Sequence, residues 1–235
     1  MPGSAVSLAL VLAVLAPLVS PGSLMNVPAL NPSWRVVTLP QQTLPVTRYS
    51  AEVVDGRAAL RVQTDGSYGN LVHELPAAAA PRRLSWAWRM QQPNALADLR
   101  TKSGDDAAVK VCMSFDLPID RVPFIERQLL RLARARTGQD LPAATLCWVW
   151  AGAEAKGALL DNPYTRRVRS IVLRNASDAL GSWMEESRDV AADFVRAFGD
   201  ESAELPPVTA VIVAGDSDNT GVSTRAHVSA LRVEP

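Results

Sequence analysis

Acidic, amide and hydroxyl side chains are concentrated where strands are expected to begin or end. Residues 216–221 read Asp-Ser-Asp-Asn-Thr-Gly and follow an apolar strand pattern, and residues 103–106 read Ser-Gly-Asp-Asp and precede another. Oxygen-rich groups on strand-end loops are suited to holding a hard cation or a polyhydroxylated ligand. The sequence therefore predicts a polar loop site, whose candidate metal ligands are Asp105, Asp106, Asp216 and Asp218.

A second polar segment, residues 183–189, lies before a short predicted helix and contains a tryptophan and two glutamates. We predict that both segments contribute to one site for a glycan-like ligand, a calcium ion or both. The candidate ligand-binding residues are Trp183, Glu185, Arg188, Asp189, Asn219 and Thr220. The alternative is ordinary turn chemistry, because turns also favour Asp, Asn and Gly, and the 216–221 segment lacks the later glutamate of an EF-hand.

Paired carboxylates could also perform glycoside hydrolysis or polysaccharide cleavage. A glycosidase needs two carboxyl groups about 5 to 9 Å apart, and Glu185 with Asp216 or Asp218 has the right residue types. However, 24 acidic residues offer many such pairs. The sequence contains no nucleophile elbow, phosphate-binding glycine loop or His-Glu-x-x-His motif. We therefore favour a binding protein, with a hydrolase or lyase as the alternative.

The elements that would position these residues are short strands. In residues 84–90, Leu84, Trp86, Trp88 and Met90 alternate with smaller or polar residues, which indicates a strand with one apolar face. Comparable segments separated by turn residues predict an all-β fold with minor α content, an antiparallel β-sandwich or jelly roll. The predicted strands cover residues 34–39, 47–54, 58–64, 70–75, 84–90, 107–116, 144–150, 168–174, 208–214 and 227–233.

Two pairs of tryptophans, Trp86 with Trp88 and Trp148 with Trp150, could form a platform for sugar rings. Their neighbours on the same faces are apolar, so we predict that all four pack between the sheets.

Two helices interrupt the strands. Residues 123–137, stopped by Gly138, place Ile125, Leu129 and Leu132 at helical spacing, and residues 189–198 form a shorter helix. The first helix also carries Arg127, Arg131, Arg134 and Arg136. These arginines suggest a third possible function, an envelope-interaction module that docks through this helix, although a solvated helix face would look the same.

Residues 6–19 form an uncharged apolar run followed by small residues. This pattern is typical of a secretory signal, and it is shorter than the ~20 residues that comfortably span a bilayer. We predict a signal peptide at 1–22, a linker at 23–33 and a single domain at 34–235, with a periplasmic or secreted location and no stable membrane span after cleavage. The alternative is an uncleaved anchor.

The formal net charge is zero, so no global field favours nucleic acid, and we expect no nucleic-acid partner. The two cysteines, Cys112 and Cys147, could form a disulfide in an oxidising compartment. The narrow distance window of a cross-strand disulfide favours the alternative, two buried thiols.

Several segments resemble, in order, the bacterial domain of unknown function 3047. They are residues 84–88, 104–109, 141–151, 171–174, 183–193 and 216–221, and the resemblance spans about residues 34–233. It implies an extracytoplasmic β-sandwich related to galactose-binding-type jelly rolls. It implies no activity and no catalytic residues. At 214–218 the chain has Ala-Gly-Asp-Ser-Asp where a Thr-Asp-Thr-Asp-like run is expected, and Ser217 keeps the small hydroxyl.

Overall fold

A computed structural model describes residues 34–75 and 80–234 and shows two β-sheets and two helices. The predicted signal peptide and linker lie outside the described residues. The strands are β1 (Trp34–Val37), β2 (Arg48–Val54), β3 (Arg57–Asp65), β4 (Asn70–Glu74), β5 (Arg83–Gln92), β6 (Val109–Phe115), β7 (Ala144–Trp150), β8 (Leu159–Asp161), β9 (Val168–Arg174), β10 (Met184–Asp189), β11 (Val208–Ala214) and β12 (Ser223–Glu234). The helices are α1 (Phe124–Thr137) and α2 (Val190–Phe198).

Seven strands form one sheet in the order β1-β4-β11-β6-β7-β9-β8, and five form the other in the order β10-β5-β12-β3-β2. The pairs are antiparallel except for β7 with β9, which is parallel. This architecture confirms the prediction of a mainly antiparallel β-sandwich with one inserted helix and one short helix.

The apolar faces of the two sheets form the main core. Trp86 of one sheet packs against Trp148 of the other with ring centroids 5.8 Å apart, and Trp88 packs against Trp150 at 5.7 Å. All four rings are buried. The prediction that they pack between the sheets is therefore confirmed, and they are not available to stack on a ligand.

Strands β8 and β10 were not predicted. Strand β8 is only three residues long. In β10 the side chain of Glu186 points inward, where an alternating pattern would have an apolar residue. Its carboxylate accepts hydrogen bonds from Trp88 Nε1 at 3.0 Å and Arg174 Nε at 2.6 Å. The strand is half-buried through polar contacts, so its sequence shows no apolar period.

Helix α2 begins as predicted. The Asp189 carboxylate accepts a hydrogen bond from the Ala192 N–H at 2.9 Å, which caps the helix. Helix α1 also ends as predicted, because Gly138 adopts the left-handed conformation that stops a helix. No helix in residues 34–75 and 80–234 is long and apolar enough to cross a bilayer.

Cys112 of β6 and Cys147 of β7 lie directly opposite each other and form a disulfide. The preference for two free thiols was therefore wrong. Sequence cannot give the register that places two cysteines at facing positions. The disulfide lies on the outer face of the seven-stranded sheet, in a small apolar cluster with Leu99, Val149 and Val172.

Candidate functional site

Four connections meet at one end of the sandwich: residues 66–69, 93–108, 162–167 and 215–222. The Asp216 N–H donates to the Ala107 carbonyl at 2.9 Å, and the Ser217 N–H donates to the Ser67 carbonyl at 2.9 Å. We call this end the loop site, and its polar residues are Tyr68, Asp105, Asp106, Lys110, Asn162, Tyr164, Asp216, Asp218, Asn219 and Thr220. The structure thus brings together all four aspartates predicted as metal ligands, with Asn219 and Thr220.

Asp106 organises the 215–222 connection. Its buried carboxylate accepts hydrogen bonds from the Asn219 N–H at 3.2 Å, from Asn219 Nδ2 at 3.1 Å and from the Thr220 N–H at 2.7 Å. The Thr220 hydroxyl in turn accepts from Asn94 Nδ2 at 2.9 Å. Asp106 and Thr220 therefore hold the loop backbone in position for the other residues of the site.

Asp216 is buried and paired with Lys110. One carboxylate oxygen accepts from the Ala107 N–H at 2.7 Å, and the other lies 2.5 Å from Lys110 Nζ. Burial alone would lower the pKa of Lys110, but Asp216 and Asp105 outweigh it and raise that pKa above its ordinary value. The pair is therefore a fixed charged element beneath the site.

Asp218 has no such partner. In the described part of the chain, its carboxylate makes no ion pair and receives no hydrogen bond from another residue's side chain. Burial, followed by the negative charges of Asp216 and Asp106, raises the pKa of Asp218 to about 6. Burial also raises the pKa of Asp105, although that carboxylate accepts a hydrogen bond from Asn162 Nδ2 at 2.5 Å. Carboxylates with raised pKa values concentrate at functional sites.

Tyr164 supplies an aromatic surface beside these acids. Its side chain is 58% exposed, and its hydroxyl lies 2.8 Å from Asn219 Oδ1 and 3.1 Å from the Lys102 carbonyl oxygen. Lys102 Nζ lies 5.2 Å from the ring centroid. The ring is thus held in place by its polar end while much of its apolar surface remains open to solvent.

Calcium binding at this site remains a prediction. Across the residues that the structure describes, no group of three or more His, Cys, Asp or Glu side chains is arranged to hold a metal ion. The oxygens of Asp106 and Asp216 already accept hydrogen bonds from N–H groups or Lys110. A calcium ion would have to replace some of these contacts, because it needs about six to eight oxygen ligands.

Residues 183–189 do not join the loop site. Asp189 pairs with Arg83, at the start of β5. The loop site lies at the opposite end of β5, where Gln92 pairs with Arg225 near the start of β12. Nine residues of strand separate these levels by about 30 Å. The expected convergence with the aspartate loops was therefore wrong. The register of β10 places Asp189 toward the other end of the sandwich and Glu185 opposite Ala87, near the middle of β5.

Arg188 and Asp189 instead stabilise the fold locally. Arg188 forms two hydrogen bonds of 2.7 Å with the buried carboxylate of Asp193, which also accepts from Trp148 Nε1 at 2.7 Å. Asp189 caps helix α2. These contacts do not support the predicted ligand-binding roles of Arg188 and Asp189.

Trp183 and Glu185 lie on a different surface, the outer face of the five-stranded sheet. Arg57 of β3 reaches across β12 and β5 to donate to Glu185 at 2.8 Å, and its guanidinium lies 4.9 Å from the Trp183 ring centroid. Arg57 lies in the end of β3 that extends beyond its pairing with β12, so this end of the β2–β3 hairpin lies against the outer face of the sheet. Asp216 contacts Lys110, whose alternation places it on the outer face of the other sheet. Glu185 therefore cannot act with Asp216 or Asp218 as a catalytic pair.

Residues 32–232 match the family described as proteins of unknown function, DUF3047. The chain belongs to this family. The predicted family resemblance is thereby confirmed. No curated protein matches the chain.

Among solved structures, this DUF3047 member is similar to a family 11 carbohydrate-binding module from Clostridium thermocellum in complex with a mixed-linked tetrasaccharide. The two are 9% identical, with 86% of this chain and 88% of the other covered and a TM-score of 0.40. Endoglucanase 3 of family GH12 from Trichoderma harzianum is 8% identical, with 86% and 91% covered and a TM-score of 0.43. The xyloglucanase domain of NopAA from Sinorhizobium fredii is 7% identical, with 85% and 96% covered and a TM-score of 0.37.

A separate cavity of about 460 Å³ lies between the β8–β9 hairpin and α2 in this DUF3047 member. Its lining includes Arg166, Arg169 and Arg196, and none of the ten predicted site residues. Each of these arginines already contacts an internal acceptor: Asp161, Glu201 and the Gly157 carbonyl, respectively. The cavity is therefore bounded by groups that stabilise the fold.

Sequence reasoning missed four contributors to the loop site: Tyr68, Lys110, Asn162 and Tyr164. Asn162 accepts hydrogen bonds from the N–H groups of Tyr164 and Thr165, as Asx turns do. The Asn-Pro-Tyr sequence at 162–164 was the available signal, since it places an aromatic residue in a turn. Nothing in the sequence could show that this turn lies beside residues 216–221.

Replacing Asp218 by asparagine is expected to stabilise the protein at neutral pH. The folded-state pKa of about 6 lies above the ordinary value of 3.8. Between pH 3.8 and pH 6 the folded state therefore binds more protons than the unfolded state, and the free energy of unfolding falls as pH rises. Asparagine removes this dependence. Allowing for partial solvent exposure, we expect a gain of about 1 kcal/mol at pH 7.5 and almost none at pH 4.

Urea denaturation at both pH values would measure this difference. Glu204→Gln, a change at an exposed glutamate outside the loop site, is the matched control and should have little effect. Equal stability of Asp218→Asn and the unaltered protein at pH 7.5 would show that Asp218 is not destabilised by its surroundings.

Proposed function

We propose that this protein is an extracytoplasmic glycan-binding protein whose ligand occupies the loop site. The observation that carries the proposal is the unpaired carboxylate of Asp218 beside the exposed ring of Tyr164. Glu185, Arg188, Asp189 and Trp183 take no part in this proposed site, because they lie away from it.

The two groups have complementary roles in sugar recognition. An aromatic ring packs against the apolar C–H face of a pyranose, while a carboxylate accepts hydrogen bonds from neighbouring hydroxyls. Tyr164 is already fixed through its hydroxyl, so little side-chain entropy is lost when a sugar stacks on it. The Asp218 carboxylate retains the capacity to accept hydrogen bonds that a polyhydroxylated ligand provides.

The charges beneath the site support a ligand that donates hydrogen bonds. Within the loop site, Lys110 offsets only part of the negative charge of Asp105, Asp216 and Asp218. An anionic ligand would meet this negative potential, so we propose a neutral oligosaccharide. Because hydroxyls bind the ionised carboxylate better, affinity should rise as pH increases through the Asp218 pKa of about 6.

The location outside the cytoplasm is supported by the Cys112–Cys147 disulfide, because disulfides persist mainly in oxidising compartments. A calcium ion remains part of the proposal as a companion of the glycan. Its ligands would come from Asp105, Asp106, Asp216 and Asp218.

Calorimetric titration with a panel of neutral and acidic oligosaccharides would test the proposal. For a sugar that binds, Tyr164→Ala and Asp218→Asn should each weaken binding about tenfold or more. Tyr164→Phe keeps the stacking surface and should retain most of the affinity. Trp183→Ala, on the other sheet face, is the control and should bind normally.

Each titration would be made at pH 5 and pH 7, before and after chelation and with calcium restored. A sugar whose affinity falls with Trp183→Ala and not with Tyr164→Ala would place the site on the outer face of the five-stranded sheet and overturn the proposal. Absence of binding across neutral oligosaccharides at millimolar concentration would also overturn it. An effect of calcium that is lost in Asp216→Asn would support the metal site.

A further inference from the structure

Helix α1 presents its large apolar side chains to solvent. Phe124 is 67% exposed, Ile125 72%, Leu129 56% and Leu132 46%, whereas Leu130 is the one residue of the helix that is buried. The helical spacing of Ile125, Leu129 and Leu132 was predicted correctly, but this apolar side faces away from the protein. Exposed apolar residues in one contiguous group indicate an interaction surface.

Polar contacts hold the opposite side of α1 against the protein. Glu126 lies 3.7 Å from Arg167, and the Arg134 guanidinium donates two hydrogen bonds to the Leu141 carbonyl at 2.9 and 2.6 Å. Arg127 donates to the Asp120 carbonyl at 3.4 Å. These anchors fix which side of the helix is outward.

The outward side carries positive charge and no negative charge. Arg131 and Arg136 are exposed, and within the described structure neither has an ion pair or side-chain hydrogen bond. At 100° per residue, Arg131 lies next to Phe124 at one edge of the exposed arc, and Arg136 lies between Ile125 and Leu129. Glu126, the acidic residue in the first turn of the helix, points inward.

We propose that this face, formed by Phe124, Ile125, Leu129, Leu132, Arg131 and Arg136, docks on an anionic phospholipid bilayer. A helix that combines apolar side chains with arginines can lie in the plane of the interface, with its apolar residues among the acyl chains and its guanidinium groups at the phosphates. Fourteen residues give about 21 Å of helix, which suits a helix lying flat.

A second copy of the chain complements this face less well. Contact between two identical faces would bring the arginines of one copy toward those of the other, with no acidic side chain between them. This repulsion is unfavourable, because burial of the surrounding apolar surface removes water from the charges. An anionic bilayer supplies both an apolar layer and negative charge. The proposal does not depend on the proposed glycan site, which lies on other loops.

Co-sedimentation of the full chain with vesicles would test it. The unaltered protein should bind vesicles containing anionic phospholipid more strongly than zwitterionic vesicles, and the difference should shrink at high salt. Leu129→Gln/Leu132→Gln should lower binding to anionic vesicles at least tenfold. Each of Arg131→Gln and Arg136→Gln should lower it about fivefold and leave zwitterionic binding unchanged.

Matched controls separate α1 from other exposed residues. Leu96 is 65% exposed in a different connection, and Leu96→Gln should not alter binding. Every variant keeps residues 6–19, so any contribution of that apolar run is common to all. Hydrogen exchange of residues 124–137 supplies a local measurement, in which anionic vesicles should slow exchange in this helix.

Equal vesicle binding by the unaltered protein and all three helix variants, with unchanged exchange in α1, would overturn the proposal. A second overturning result is self-association that Leu129→Gln/Leu132→Gln abolishes, measured by sedimentation, without vesicle binding. That result would assign the face to contact between copies of the chain.

Discussion

Replacing Glu201 by alanine is expected to cost about 3 to 5 kcal/mol of stability, a large part of what a domain of this size has. The Glu201 side chain is 1% exposed. It accepts hydrogen bonds from Arg167 at 2.6 and 2.8 Å and from Arg169 at 2.7 Å. Alanine would leave two guanidinium groups, each on a side chain that is 5% exposed, without their shared carboxylate.

The position of this network explains why its effect should extend beyond one contact. Arg167 also donates to the Ala143 carbonyl before β7 at 3.2 Å, and the Arg169 guanidinium lies 4.3 Å from the Phe198 ring centroid at the end of α2. The network therefore connects the parallel pair β7–β9 with α2.

Urea denaturation would measure the loss. Glu204→Ala, three residues later and exposed, is the control and should change stability by less than about 0.5 kcal/mol. Glu201→Gln keeps the shape of the side chain and one acceptor oxygen, so its loss of stability should lie between those of Glu204→Ala and Glu201→Ala. A Glu201→Ala protein within about 1 kcal/mol of the unaltered one would show that water or a rearranged acid satisfies both arginines.

Removing the disulfide by Cys112→Ala/Cys147→Ala is expected to cost about 3 to 4 kcal/mol. The two cysteines are 35 residues apart in sequence, and a link of this length restricts the unfolded chain considerably. The segment between them includes helix α1. Loss of the disulfide should therefore lower the stability of the β6–β7 pair and of the connection that carries α1.

The midpoint of urea denaturation under oxidising conditions would report this change. Reductant should lower the midpoint of the unaltered protein by a similar amount and leave the double variant unaffected. Identical midpoints for the two oxidised proteins would contradict a stabilising role for the disulfide.

The strands of the core could be predicted because their chemistry alternates. In β5, Leu84, Trp86, Trp88 and Met90 are all buried, as their period-two spacing indicated. Strand β10 lacked this signal, since the inward carboxylate of Glu186 is matched by Trp88 and Arg174 rather than by apolar neighbours. Tertiary hydrogen bonds of this kind leave no periodic trace in the sequence.

The loop site could be predicted only in part. The aspartates adjoin the neighbouring strands β6 and β11, and this adjacency brings them together. The sequence does not show which aspartates have hydrogen-bond donors. The donors come from residues far away in sequence, as when the Thr220 N–H donates to Asp106. Similarly, the spacing of Leu129 and Leu132 gave the apolar side of α1, but its outward direction depends on contacts such as Glu126 with Arg167.

The position of β12 has a consequence for the order of events during synthesis. This last strand, Ser223–Glu234, lies between β5 and β3 in the middle of the five-stranded sheet. Until it is made, the hairpin β2–β3 and the pair β10–β5 have no strand to join them. A nascent chain that stops before residue 223 should therefore remain protease-sensitive, because the two parts of the five-stranded sheet are not yet joined.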